Sequence, residues 1–252
     1  MPALGDMEWL LAGLFLLVAV LYSSVGHAGA SGYLAAMALL GFAPEQMRPT
    51  ALALNLLVGG IGLVRFTRAG LVDPRKVLPF VLASAPAAYF AAQVPIARDS
   101  YALLLGGLLL VSAMAVFRSA SAVADDDQAL PLRTLRWLPA LAAGAAIGAL
   151  SGLTGTGGAI FLTPLLLLMR WTHSREASGV SVAFVWINSL LAMAGLWSVS
   201  PALPAALPAW LAAVGIGALI GTQLGIHRLP LKGLRYALSL VLLIASAKLL
   251  LG

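Results

Sequence analysis

The chain alternates long apolar runs with short polar punctuation, and most runs are apolar on every side rather than on one stripe. Cutting at charges, prolines and glycine clusters yields segments at 9–26, 29–41, 46–64, 77–95 and 100–117, then at 137–153, 157–169, 176–197, 206–226 and 233–250. A helix that is hydrophobic all round belongs in a membrane or deep in a large core. Crossing a hydrocarbon layer of about 30 Å takes about 20 helical residues. Segments 29–41 and 157–169 are too short for that. Each is read as a half-helix, or as the returning arm of a hairpin with the segment before it.

Composition settles which of these environments applies. Apolar residues make up 61% of the 252 and charged residues 10%, and the mean hydropathy is +0.99. A soluble domain carries about 25% charge, so this chain cannot cover itself with a polar surface. The pattern predicts an all-α, polytopic membrane helix bundle. The net charge of +6 is spread over short loops rather than gathered in a patch, which excludes nucleic acid as the partner. Without cysteine there are no disulfides, thiolate metal sites or thiol nucleophiles. The first positive residue comes well after Trp9, so the opening run reads as a retained span rather than a cleaved signal.

Two glycine-rich breaks interrupt the apolar runs at matching places. One reads Gly26-His27-Ala28-Gly29-Ala30-Ser31-Gly32, the other Gly152-Leu153-Thr154-Gly155-Thr156-Gly157-Gly158. Non-helical backbone at membrane depth is tolerated only inside protein or along a wet cavity. A pair of such breaks in corresponding positions is a pointer to a transporter's substrate site.

Charge then orders the spans. If the loop with Arg65, Arg68, Arg75 and Lys76 is cytoplasmic, alternation places Arg118, Arg133, Arg136, Arg170, Arg175, Arg228, Lys232 and Arg235 on the same side. Of the 15 basic residues only Arg48, Arg98 and Lys248 stay outside, as the positive-inside rule favours. Both termini then face outward. Counterpart loops in the two halves carry their charge on opposite sides, the mark of inverted repeats. The expected organisation is a first transmembrane repeat over 1–118, a cytoplasmic linker over 119–136 and a second repeat over 137–252. Each repeat holds about five helical segments, broken or halved at its glycine-rich break. The linker's Asp125-Asp126-Asp127 reads as solvated rather than metal-binding.

The chemistry available at depth is neutral on this reading, since no Asp, Glu, Lys or Arg falls mid-span. Helices starting near Ala30 and Ala159 would aim open N–H groups and positive dipole ends at the breaks, which suits a small anion. Gly29, Ser31, Thr154, Thr156, Gly157 and Gly158 belong to this candidate site. Asn55 and Asn188, each preceded by a small polar residue (Thr50 and Ser181), are amides in apolar helices and read as cavity-facing; Gln223 is a weaker candidate of that kind. His27 can titrate between pH 5 and 8, either coupling transport to protons or adding charge for an anion, or else simply satisfy break carbonyls. Gly144 with Gly148 and Gly217 with Gly221 read as close helix packing. Trp9, Trp137, Trp171 and Trp210 read as interfacial belt residues. His173 and His227 read as solvent-facing. No hydrolase, HExxH, Walker or Rossmann motif is present, so the chain reads as a non-enzyme without a cofactor.

The paired breaks, each followed by a short apolar helix with a proline nearby (Pro44, Pro164), resemble the sulfite exporter TauE/SafE family. So do Arg48-Pro49-Thr50-Ala51-Leu52-Ala53-Leu54-Asn55 and Ala177-Ser178-Gly179-Val180-Ser181. The resemblance runs from about Leu14 to Leu250. It departs at His27 and Ala28, where glycine-dense versions are usual, and at Gly179-Val180-Ser181 in place of Gly-Thr-Ser. It implies a bacterial inner-membrane permease that moves small sulfur-containing or organic anions, typically outward. The expected partners are a small anion, the lipid bilayer, protons as a coupling ion and a second copy in a homodimer. A channel or cation permease built on break carbonyls and hydroxyls stays open, as does a lipid-modifying enzyme with His27 as base.

Overall fold

A computed structural model describes residues 5–121, 131–199, 203–226 and 232–251. Its helices are α1 (Asp6–Ser23), α2 (Ala30–Leu39), α3 (Pro44–Arg68), α4 (Pro74–Ala92), α5 (Arg98–Ser121), α6 (Trp137–Thr154), α7 (Ala159–Leu168), α8 (Ser174–Trp197), α9 (Leu207–Ile226) and α10 (Lys232–Leu251). No strand occurs among the described residues. The expected all-α class holds, and helix ends fall where local chemistry puts them. Pro44 and Pro74 open α3 and α4, where a missing N–H costs nothing. The Asp73 side chain accepts from the Arg75 N–H at 2.9 Å to cap α4. Asp125-Asp126-Asp127, His227 and Arg228 lie outside the described residues.

Six of the described helices are long and apolar enough to cross a membrane: α1, α3, α5, α6, α8 and α9. By contrast α2 and α7 have ten residues each, about 15 Å of helix and half a hydrocarbon core. Side-chain contacts show which of the two sequence readings applies. Gly32 of α2 sits against Val18 and Tyr22 of α1, and Tyr33 stacks edge-on against Phe15, further back along α1, at 5.2 Å. The second pair closes likewise, with the Arg133 N–H, ahead of α6, donating to the Arg170 carbonyl after α7 at 2.8 Å. Both pairs are hairpins that return to the end they left.

The hairpins open at opposite ends of the bundle. Trp210 at the start of α9 donates its indole N–H to the Glu8 carbonyl and packs on Phe42, just ahead of α3. The starts of α1, α3 and α9 therefore share one end. At the other end Lys76 pairs with Glu176, joining the starts of α4 and α8.

Packing does not follow chain order. α4 packs on α6 and α8, while α9 packs on α1 and α3. One apolar cluster joins α1, α2, α3, α5, α9 and α10; it also takes in Ala159, Ile160 and Val185, so the first turn of α7 reaches into it. A second cluster joins α4, α6, α7 and α8. Each half thus gives its fourth helix to the other half's bundle. Glycine makes the approach possible. A Cβ on Gly144, Gly148 or Gly152 would lie 2.3 Å from the carbonyl oxygens of Phe80, Ser84 and Ala88 on α4. Gly217, Gly221 and Gly225 meet Leu16 and Val20 of α1 and Ser24 just past its end in the same manner. These are close-packing seams, as small residues at such spacing suggest.

Two of the four belt tryptophans do not lie at a belt. Trp9 and Trp137 are exposed at 61% and 53%, whereas Trp210 is 1% exposed and Trp171 7%. Trp210 packs edge-on against Phe15 at 5.4 Å, and Trp171 lies against Phe80 at 5.9 Å. A tryptophan at a helix start can turn inward where its N–H finds a carbonyl, and the Glu8 carbonyl supplies that for Trp210.

Candidate functional site between the two hairpins

The two breaks converge on one cavity of about 10 Å³, lined by Tyr22, His27, Ala28, Gly29, Ala30, Ser31, Thr156, Ala159, Ile160 and Val185. That is room for one water molecule. The wall is built by two helix starts. Gly29 (φ +103) and Gly158 (φ +84) are the N-caps of α2 and α7, both in the left-handed region that a side chain resists. The first intrahelical bonds run from Gly32 and Tyr33 to the Gly29 carbonyl, and from Phe161 and Leu162 to the Gly158 carbonyl. Helix geometry leaves the amides ahead of them without an intrahelical acceptor. Those amides belong to Ala30, Ser31, Ala159 and Ile160, and all four residues line the cavity.

Hydroxyls and an imidazole complete the wall. Tyr22 and Ser31 share a hydrogen bond at 2.7 Å, and the Tyr33 hydroxyl donates to the Ala28 carbonyl at 2.9 Å, fixing the first break. His27 Nε2 meets Thr163 Oγ1 on α7 at 2.7 Å, and Thr163 Oγ1 meets Ser181 Oγ on α8 at 2.6 Å. This chain of hydroxyls ties the first break to the second bundle. Ser181 is therefore two bonds from the cavity wall rather than on it. Thr156 lines the cavity, whereas Thr154 turns back on its own helix, donating to the Leu150 carbonyl at 2.6 Å and sharing a bond with Thr156 at 3.0 Å.

Gly157 (φ +75) touches the central helices. A Cβ there would fall 2.4 Å from Val185 Cγ2 and 2.5 Å from Asn55 Nδ2. Asn55 donates to Ser189 Oγ at 3.3 Å, and its Oδ1 is buried without a protein partner, as are Thr50 Oγ1 and both amide atoms of Asn188. Buried polar atoms without a protein partner are uncommon in folded proteins. The two asparagines are not structural counterparts, however. Counted from the starts of α3 and α8, Asn55 corresponds to Val185 and Asn188 to Val58. Gln223, the weaker amide, is exposed and accepts from Arg65 at 2.7 Å.

Sequence reasoning missed Tyr22, Thr163, Ser189 and Val185, which carry no motif, and it misplaced Arg48. That arginine is not a loop charge. It lies in α3, 9% exposed, with Nη2 donating to the carbonyls of Ala92 and Gly152 at 2.9 and 3.0 Å. Its backbone abuts Gly155 of the second break. A neutral interior is thus overturned by one buried guanidinium beside the second break.

Similarity to known proteins now bears on this geometry. Residues 11–249 match the family model described as "Sulfite exporter TauE/SafE". The chain belongs to that family. It is also 40% identical over 240 residues to the "Probable membrane transporter protein y4hK" of Sinorhizobium fredii (strain NBRC 101917 / NGR234), covering 95% of this chain and 97% of that protein. No solved structure matches the chain. The TauE/SafE permease described here is accordingly a multi-pass membrane transporter, and the cavity between its hairpins is the candidate place where solute is held.

Proposed function

We propose that this permease exports a small oxyanion, of the class of sulfite or a sulfonate, by alternating access around the cavity between the hairpins. One observation carries the reading: the first turns of two helices from different halves, whose leading amides have no intrahelical acceptor, line the same cavity. Paired N-termini supply fixed donors and positive dipole ends, which suit negative charge without a basic side chain in the wall. Asn55, Asn188 and Thr50 would orient the anion from α3 and α8 once the cavity widens beyond its present single-water size.

In this reading the halves are inverted repeats in a bacterial inner membrane. The end where α4, α6 and α8 begin faces the cytoplasm, together with the basic loops and the linker, and both termini lie outside. The hairpins opening at opposite bundle ends support that arrangement. A proton can serve as coupling ion through His27, whose bond to Thr163 spans the two bundles, and a homodimer is compatible with the lipid-facing surface.

The test is flux in proteoliposomes holding purified protein, with thermal stabilisation measured in parallel for sulfite, sulfate, thiosulfate, sulfoacetate and small carboxylates. Saturable, protein-dependent efflux of at least one sulfur oxyanion is the expected result. Stabilisation by metal cations alone, with no anion flux, would discard the reading.

A further inference from the structure

Arg48 has an unusual set of partners for a buried cation. No carboxylate pairs with it: among the described residues the ion pair within 4.0 Å is Lys76–Glu176, and Glu45, one turn back on α3, is exposed. Its partners are carbonyls at the C-terminal ends of two helices, Ala92 on α4 and Gly152 on α6. Helix C-termini carry partial negative charge that a guanidinium offsets. Close by, Tyr101 of α5 donates to the Thr154 carbonyl at 3.0 Å, gripping the same end of α6. Arg48 Nε remains buried and unpartnered, and so does Ser151 Oγ, adjacent to the Gly152 carbonyl.

The bond also crosses between bundles. Met47, Ala51, Leu54 and Val58 seat α3 in the first apolar cluster, whereas α4 and α6 belong to the second. Among the described residues the first break has no guanidinium clamp of this kind. Counted from the helix starts, Ser178 is the counterpart of Arg48. Its carbonyl abuts Gly26 as that of Arg48 abuts Gly155, yet its hydroxyl bonds only to Ser174 of its own helix.

Resting on the alternating-access reading, we propose that Arg48 is a positioning residue of the transport cycle. It latches the C-terminal ends of α4 and α6 to α3 and holds the second hairpin's break, with Thr156, against the cavity. Opening toward the end where α3 begins separates Arg48 from the Ala92 and Gly152 carbonyls, and the latch re-forms on closure. The two ends of the transporter are therefore gated differently, by a guanidinium at one and by the His27–Thr163–Ser181 hydroxyl chain at the other.

The natural absence of cysteine makes a single reporter clean. Ser151→Cys in the full chain, reconstituted with known orientation, is labelled with a membrane-impermeant maleimide offered from each side. Loss of a charged hydrogen-bond donor in Arg48→Gln should raise the labelling rate about tenfold or more from the face where α3 begins, with no change from the other. Arg48→Lys, which keeps charge and a donor, should fall between. Unchanged labelling in an Arg48→Gln protein that melts like its parent overturns the latch, and so does an equal rise from both faces. If Arg48→Gln does not fold, Tyr101→Phe releases the Thr154 carbonyl alone; a smaller one-sided rise supports the latch and no change overturns it. One-sided labelling without anion flux in the unmodified protein keeps the latch and rejects the transport reading. Flux without a labelling response does the reverse.

Discussion

The two breaks have the same backbone plan and are held in place by different chemistry. Each ends a long helix, passes through left-handed glycine and starts a ten-residue helix. The first is held by aromatic hydroxyls, Tyr22 on Ser31 and Tyr33 on the Ala28 carbonyl, and by His27 reaching across to Thr163. The second is held by Arg48 and Tyr101 on carbonyls, with Gly157 wedged against Asn55 and Val185. Shared backbone geometry makes the cavity, and unshared side chains decide how firmly each wall is fixed. A bond from a charged donor contributes about 1.5–3 kcal/mol and a neutral one about 1 kcal/mol, so Arg48 is the strongest single tie at either break.

Substitutions can break or sharpen that contrast. The largest effect is expected from Gly157→Leu. A side chain there meets Val185 and Asn55 at the cavity edge, and overpacking of this kind costs about 1–3 kcal/mol on top of the left-handed strain. Transport in proteoliposomes should vanish while membrane insertion persists. Gly29→Leu should abolish transport too, because a side chain there meets the Tyr33 ring and hydroxyl that hold the first break; flux that persists in this variant would confine the site to the second break.

Asn188→Leu should separate stability from function. Both amide atoms are buried without a protein partner, and an orphaned polar group costs about 1–3 kcal/mol. Removing it should raise the melting temperature and depress flux several-fold. A variant that is less stable, with flux intact, would make Asn188 a packing residue. Tyr22→Phe removes one neutral bond to Ser31, about 1 kcal/mol; a modest drop in melting temperature and a change in half-saturating anion concentration are expected. Ser178→Ala is expected to do least, within about 0.5 kcal/mol of the parent, since its hydroxyl serves only its own helix. An effect as large as that of Arg48→Gln would erase the asymmetry between the breaks.

Much of this was readable along the chain, for definite reasons. The helices sit close to the apolar segments because an all-round hydrophobic run with proline at its start has few alternatives in a bilayer. The glycine seams of α6 and α9 were legible too, because spacing by four places small residues on one helix face. Tyr22, Thr163 and Ser189 were not legible. A lone hydroxyl in an apolar helix looks the same whether it meets a neighbour's backbone or a cavity. Asn55 and Asn188 look like a recurring pair because both fall in the third segment of their halves, and only the helix starts show that their registers differ. Arg48 was counted only as a charge near a span end, and a buried guanidinium satisfied by carbonyls leaves no partner residue to recognise.

Alone, the sequence determined that this is a helical membrane protein, where its chain breaks and that the breaks come as a pair. These follow from transfer free energy and backbone sterics, which act locally and can be read from residue order. Only the tertiary structure decided that the short helices fold back, that the fourth helices change places between bundles and that the first turns of α2 and α7 line one water-sized cavity. Those outcomes depend on contacts between residues far apart in the chain. In an interior that is apolar everywhere, hydropathy does not distinguish one partner helix from another; shape complementarity at the glycine seams does.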